Sequence, residues 1–295
     1  MKICLVSSLY NPDIVGGAEN AVAALANGLA DEGHRVVVVA TKPSPFVPIY
    51  QGLYRADERA ANFFIHMDDY SAMMKNTLRN LAMTPIWHAL DIWNARSYAH
   101  VRDTLEDFSP DIINSHNIFG MTNAVWSAAR SLKIPLVHTL YDYALICPRT
   151  TRFKEDGGIC KSSCSGCSLY AVPKFRSSKG ASAVIAPSQP ILDHFLEGGF
   201  FRRAKQFVIP CGVSTDQRQG PVEPGLVRFL CIGPVSRHKG ILTLIRAFKR
   251  VDSFGATLNI VGMGDCLRLA QKIAGPSMRQ GNSANSKSGI ASQSV

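Results

Sequence analysis

Short runs of β-branched and aliphatic residues alternate with longer stretches of helical period from residue 1 to about residue 215. This alternation restricts the chain to an α/β architecture in which helices cover a parallel sheet. The first repeat is the cleanest. Ile3 to Ser7 predicts a strand, Asn11 to Gly17 a loop, and Ala18 to Ala30 a helix carrying Ala18, Val22, Leu25 and Leu29 on one face. Gly33 supplies the break after that helix, and Arg35 to Thr41 returns as a second strand. Further strands are predicted over Asp111 to His116, Ile134 to Thr139, Ala183 to Ala186 and Gln206 to Pro210. Helices are predicted over Thr122 to Leu132 and over Gln189 to Leu196, the second with Ser188 as N-cap. Ser71 to Phe108 reads as largely helical, restarting at Thr84 and Pro85, with Trp87, Leu90, Val101 and Leu105 facing the core. Pro43 to Phe64 has no clean period and reads as loop with uncertain strands.

Two segments break the rhythm. Cys147 to Pro173, rich in cysteine, glycine and charge, reads as an inserted loop. Thr215 to Gly225 is polar and rich in Gln, Pro and Gly, which suits a linker between domains. A second βαβ repeat follows, with a strand at Val227 to Gly233, a loop to Gly240, a helix at Ile241 to Val251 and a strand at Thr257 to Val261. Gly275 to Val295 is mostly Ser, Asn, Gly and Gln and is predicted to be disordered. The expected organisation is therefore a first Rossmann-like domain over 1–214 with the insertion 147–173, a linker over 215–225, an incomplete second Rossmann-like domain over 226–274 and a tail over 275–295.

With 295 residues and 46% apolar content, the chain is large enough to bury two cores. No stretch approaches the roughly 18 to 20 apolar residues needed to span a bilayer, and MKICLVSSLY lacks the pattern of a cleaved leader. The expected location is cytoplasmic. The net charge of +10 is spread in ones and twos apart from Arg202, Arg203 and Lys205. It reads either as a solvated basic surface or as affinity for phosphates and the anionic inner membrane face, where a peripheral contact would form. No helix-turn-helix, zinc-finger or basic aromatic signature is present, so nucleic acid is not an expected partner.

Several motifs carry chemistry. Gly16-Gly17-Ala18-Glu19 lies between the first strand and its helix, where glycines let backbone approach a phosphate and a helix N-terminus presents free N–H groups; an ordinary tight turn is the other reading. His116 ends a strand at the carboxyl edge of the sheet, where an imidazole hydrogen-bonds a sugar hydroxyl, transfers a proton, or caps loop carbonyls. Arg237 and Lys239, in Ser236-Arg237-His238-Lys239-Gly240, precede a helix and either neutralise a diphosphate or form a solvated basic turn. Gly262-Met263-Gly264-Asp265 makes a second glycine turn. Cys147, Cys160, Cys164 and Cys167 follow a C-x12-C-x3-C-x2-C spacing, read as a structural zinc site or as four unlinked thiols. Cys4, Cys211, Cys231 and Cys266 fall on strands or strand ends and read as small core residues. His138, Tyr141 and Asp142 lie near another carboxyl edge, as candidates for an acceptor pocket without assigned roles.

GGAE, the strand ending in His116, the turn Ala186-Pro187-Ser188, the segment Val208-Ile209-Pro210-Cys211-Gly212-Val213 and the loop Gly233 to Gly240 together resemble glycosyltransferase family 4. The resemblance covers residues 1 to about 270. It implies a GT-B-like fold of two Rossmann-like domains and transfer of a sugar from a nucleotide donor, with retention and without a catalytic metal. It further implies that Gly17 contacts the donor phosphates, that His116 lies by the reacting sugar, and that Arg237 and Lys239 hold the diphosphate. His138 to Cys167 is similar to the cysteine-bearing loop of some members. The sequence departs from the family at Cys211, where Asn is usual, and lacks the E-x7-E segment, Asp265 being the sole acid after Gly264.

The function expected is transfer of a hexose from a UDP- or GDP-linked donor to a saccharide or lipid-linked acceptor in cell-surface polysaccharide synthesis. The alternative is a non-catalytic remnant, shortened by truncation or frameshift, that keeps an acceptor-binding or interaction domain. A sugar-nucleotide epimerase is a third reading.

Overall fold

The computed structural model describes residues 1–10, 16–43, 53–57, 60–67, 88–89, 91–119, 121–154, 157–161, 164–212, 227–250, 256–275, 279–281 and 292–294. The chain divides into two units. Met1–Arg152 with Cys160–Thr215 forms the first, and Phe153–Ile159 with Asp216–Val295 the second.

The first unit is built on an eight-stranded sheet. Its strands are β1 (Lys2–Ser7), β2 (Arg35–Pro43), β3 (Leu53–Asp57), β4 (Ala60–Met67), β5 (Ile112–Ser115), β6 (Leu136–Thr139), β7 (Ala183–Ala186) and β8 (Lys205–Val208). Their spatial order is β3-β4-β2-β1-β5-β6-β7-β8, parallel throughout except that β3 runs antiparallel to β4. The helices are α1 (Gly17–Asp31), α2 (Ala95–Phe108), α3 (Thr122–Ser131), α4 (Ser165–Ser178) and α5 (Gln189–Glu197).

Both faces of the central strands are buried, as the period of two requires. On β1, Ile3 and Leu5 join Val22 and Ala26 of α1, while Cys4 and Val6 join Val101, Leu105, Val125 and Trp126 on the opposite side. Gly33 leaves α1 with φ of +82°, the left-handed conformation that favours glycine at a helix end. Adjacent strands β1 and β5 lead away in opposite directions, so the order reverses between them. In a parallel sheet, that reversal opens a crevice at the strands' carboxyl ends.

In the second unit β9 (Arg228–Ile232) pairs in parallel with β10 (Thr257–Val261), followed by α6 (Ile241–Phe248) and α7 (Leu267–Ala274) in chain order around β10. Val235, Ile241, Ile245, Leu258, Ile260 and Ala270 form its core. Two short strands, β11 (Arg279–Gly281) and β12 (Ser292–Ser294), pair antiparallel, β12 also lying along β10.

These two strands correct the expectation of disorder over 275–295, since a ladder uses backbone groups and asks no apolar side chain of Ser292, Gln293 and Ser294; the remainder of that tail past Gly275 lies outside the described residues. Strands β3 and β4 lie in the segment Pro43 to Phe64 read as loop with uncertain strands, β4 extending past it to Met67. Helix α4 replaces the last third of the expected insertion loop and runs through Pro173. Ser188 precedes α5 as expected, but its hydroxyl makes no cap hydrogen bond. The helix expected over 71–87, with Trp87, lies outside the described residues, whereas Val101 and Leu105 are fully buried on α2.

Candidate functional site

The loops that follow β1 and β5 are tied together. The Ser8 hydroxyl donates to the Phe119 carbonyl at 2.8 Å, Ser8 N–H donates to the Asn117 carbonyl, and His116 N–H donates to the Val6 carbonyl at 2.8 Å. His116 is thereby fixed at the reversal point of the sheet, and it is 1% exposed.

Its ring stacks on Tyr141, with centroids 5.9 Å apart and planes 23° from parallel. The Tyr141 hydroxyl lies 3.3 Å from His116 Nδ1. His116 Nε2 is buried and has no hydrogen-bond partner among the described residues. Burial lowers the imidazole pKa to about 3, so the ring is neutral at physiological pH. Of the chemistries open to it from sequence, this environment favours hydrogen bonding over proton transfer near neutral pH. Where Tyr141 donates to Nδ1, the proton of the neutral ring resides on Nε2, which is then a donor.

His116, Thr139, Tyr141 and Asp142 line a small crevice of about 10 Å³, room for one water-sized group. Asp142 Oδ1 accepts from the Ala144 N–H at 2.8 Å, which folds the turn after β6. Burial raises the Asp142 pKa, with the Glu19 carboxylate adding to the effect. His138 also lines the crevice. Its Nδ1 is 2.9 Å from the Ser115 hydroxyl, to which Trp126 Nε1 also donates at 3.2 Å, and its ring stacks on Phe201 at 5.6 Å. Burial lowers its pKa to about 3, with His116 contributing.

Gly16 and Gly17 open α1. The Glu19 carboxylate, 5% exposed, accepts the Gly16 N–H at 2.7 Å and occupies one of the donors at that helix start. An added Cβ on Gly17 would meet nothing within 4 Å, so the backbone there is open to an approaching group.

Arg237, His238 and Lys239 form one exposed 3-10 turn in the second unit, ended by Gly240 at φ of +74°. Sequence reading gave little weight to the glycine pair beneath this turn. Gly233 N–H donates to the Val261 carbonyl at 2.9 Å and Val235 N–H to the Met263 carbonyl at 2.9 Å. A Cβ on Gly262 would fall 1.8 Å from the Gly233 carbonyl oxygen, and one on Gly264 2.4 Å from the Val235 oxygen. The two glycines therefore permit the backbone contact that sets the position of the basic turn.

The cysteine segment is only partly assembled. Cys164 and Cys167 bring their sulfurs to 3.3 Å, Cys147 is buried, and Cys160 is half-buried. Among the described residues, no three or more His, Cys, Asp or Glu side chains are gathered to hold a metal ion. Behind α4 lies a group that sequence reading missed. Fully buried Lys174 pairs with fully buried Asp91, whose Oδ2 also accepts from the Tyr170 hydroxyl at 2.7 Å. Lys174 Nζ further donates to the Ala144 carbonyl at 3.3 Å, beside the crevice.

Residues 15–217, which hold the crevice, His116 and the glycine turn, match Glycosyltransferase Family 4. The chain belongs to this family. A Klebsiella pneumoniae relative, an uncharacterized 42.6 kDa protein in cps region, is 31% identical over 212 residues, 71% of this chain and 54% of that protein. The chain thus spans about half the length of the curated relative it matches. Sucrose-phosphate synthase from Thermosynechococcus elongatus matches with a TM-score of 0.54 and 16% identity, covering 87% of this chain and 61% of that one. The E. coli trehalose-6-phosphate structure bound with UDP-2-fluoro glucose matches with a TM-score of 0.57 and 11% identity, over 92% and 67% of the two chains. A Burkholderia xenovorans trehalose-phosphate synthase in complex with glucose-6-phosphate gives 0.57 and 12%, over 92% and 68%. These likenesses show the fold, that of the GT-B glycosyltransferases. Among the described residues no helix of this family 4 chain is long and apolar enough to cross a membrane.

Proposed function

We propose that the chain transfers a hexosyl group from a nucleotide-sugar donor, UDP- or GDP-linked, to a hydroxyl of a saccharide or lipid-linked acceptor. The observation that carries this reading is His116, a buried neutral imidazole whose Nε2 has no hydrogen-bond partner among the described residues and which lines the crevice at the reversal point of the sheet. Such an atom asks for a hydrogen-bonding ligand, and a sugar hydroxyl supplies one. Family membership supports the reaction class.

In the transfer, the bond between the donor's anomeric carbon and the diphosphate oxygen breaks. A bond from that carbon to the acceptor oxygen forms, and the acceptor's proton leaves with the diphosphate. Arg237 and Lys239 supply fixed positive charge for that departing group, the role a metal fills in other transferases. Gly17 leaves its backbone open to the donor phosphates. Work at the cytoplasmic membrane face, in cell-surface polysaccharide synthesis, is supported by the net charge of +10 and by the relative in a cps region.

The test is to incubate the full chain with UDP- and GDP-hexoses and lipid-linked saccharides and to follow nucleoside diphosphate release. Release that depends on acceptor and falls roughly 100-fold in His116→Ala supports the reading. Donor binding without release for any acceptor would instead favour a binding protein.

A further inference from the structure

Cys164-Ser165-Gly166-Cys167 opens α4, with Cys164 as N-cap and Cys167 three residues on in the first turn. Residues three apart share one helix face, and the two sulfurs stand 3.3 Å apart. Thiolates sharing a tetrahedral metal would sit roughly 3.8 Å apart, given metal–sulfur bonds of about 2.3 Å. A disulfide needs about 2.05 Å, so the sulfurs must close further from their present 3.3 Å to form one.

The surroundings divide labour between the two thiols. Cys164 is exposed and Cys167 half-buried. The exposed Cys164 thiol is the one open to an approaching disulfide. One turn further on, Tyr170 and Lys174 anchor α4 to buried Asp91. The backbone is therefore held while the side chains change state.

We propose that Cys164 and Cys167 form a redox-active dithiol that undergoes thiol–disulfide exchange with a small-molecule disulfide such as glutathione disulfide. The Cys164 thiolate attacks one sulfur of the small disulfide, forms a mixed disulfide and releases one thiol. The Cys167 thiolate then attacks Cys164 Sγ, closes the intramolecular disulfide and releases the second thiol. The two cysteine protons end on the two released thiols, and the protein is oxidised by two electrons as the small disulfide is reduced. The state of this pair sets the covalent clamp on the first turn of a helix whose Lys174 touches the crevice wall at Ala144.

The test uses the full chain, reduced, desalted and exposed to glutathione disulfide, then acid-quenched, alkylated and mapped by peptide mass spectrometry. Wild type should form the Cys164–Cys167 disulfide and retain less than about one tenth of the glutathione adduct that Cys167→Ser traps on Cys164. Exposed Cys211 serves as the internal control and should remain unpaired. Oxidation that links either thiol to Cys147 or Cys160, or a persistent adduct on Cys164 in wild type, would overturn the proposal. So would stoichiometric metal in the purified chain that Cys164→Ser releases.

Discussion

The Tyr141 hydroxyl lies 3.3 Å from Nδ1 of His116, and this contact decides which ring nitrogen is left for a ligand. Replacing Tyr141 by Phe removes the donor that orients the imidazole while keeping the stacked ring. A single such hydrogen bond is worth about 1 kcal/mol, so Tyr141→Phe should lower kcat/KM for transfer by about fivefold to tenfold and leave the unfolding midpoint nearly unchanged. Equal activity in the two proteins would show that Nδ1 needs no partner.

Acid should destabilise the first unit through its buried histidines. His116 and His138 have folded pKa values of about 3 against 6.5 when exposed. The unfolded chain therefore binds protons that the folded chain refuses, and stability falls as pH drops from about 6.5 toward 3. At pH 5 each histidine should remove about 2 kcal/mol. Urea unfolding at pH 7.5 and 5.0 measures this, and His116→Asn should lose about half of the difference. A curve without pH dependence in this window would contradict the burial of both rings.

Lys174→Met should be among the most destabilising single changes in the first unit. It leaves the Asp91 carboxylate buried with the Tyr170 hydroxyl but no cation, at a cost of about 3 to 5 kcal/mol. Adding Asp91→Leu to Lys174→Met should restore much of the loss, because a desolvated charge is then removed rather than orphaned. Chemical denaturation of the single and double variants separates the two cases. A double variant no better than Lys174→Met would mean that packing, not charge, dominates there.

Gly264→Ala tests the glycine contact beneath the basic turn. Its Cβ would fall 2.4 Å from the Val235 carbonyl oxygen, a backbone atom that cannot swing away. The strain should cost about 1 to 3 kcal/mol and raise hydrogen exchange across residues 227–275, as read by mass spectrometry. Exchange equal to wild type would show that the loop accommodates a methyl group.

The alternation of β-branched runs and helical periods made the sheet legible, because strands β1, β2, β6, β7 and β10 are buried on alternating or both faces. Helix α4 escaped because its buried stripe is Tyr170, Lys174 and Ser178, a polar row that no apolar period reveals. The Asp91–Lys174 pair was hidden for a related reason: its members lie 83 positions apart. His116 was legible as a strand-end histidine, but its neutral state depends on complete burial, which is a property of the packed unit. The roles of Gly262 and Gly264 required the paired loop to be seen, since close approach of two backbones leaves no mark in either segment alone.

The proposal to be tested is that this family 4 chain binds a nucleotide-sugar, with Arg237 of the basic turn holding the diphosphate. Isothermal titration of the full chain with UDP, GDP and their hexose conjugates tests it most directly. The account predicts affinity near the micromolar range, equivalent to about 8 kcal/mol, for one nucleotide series, weakened at least roughly tenfold in Arg237→Ala. No heat of binding with any of these ligands, or affinity indifferent to Arg237→Ala, would contradict it.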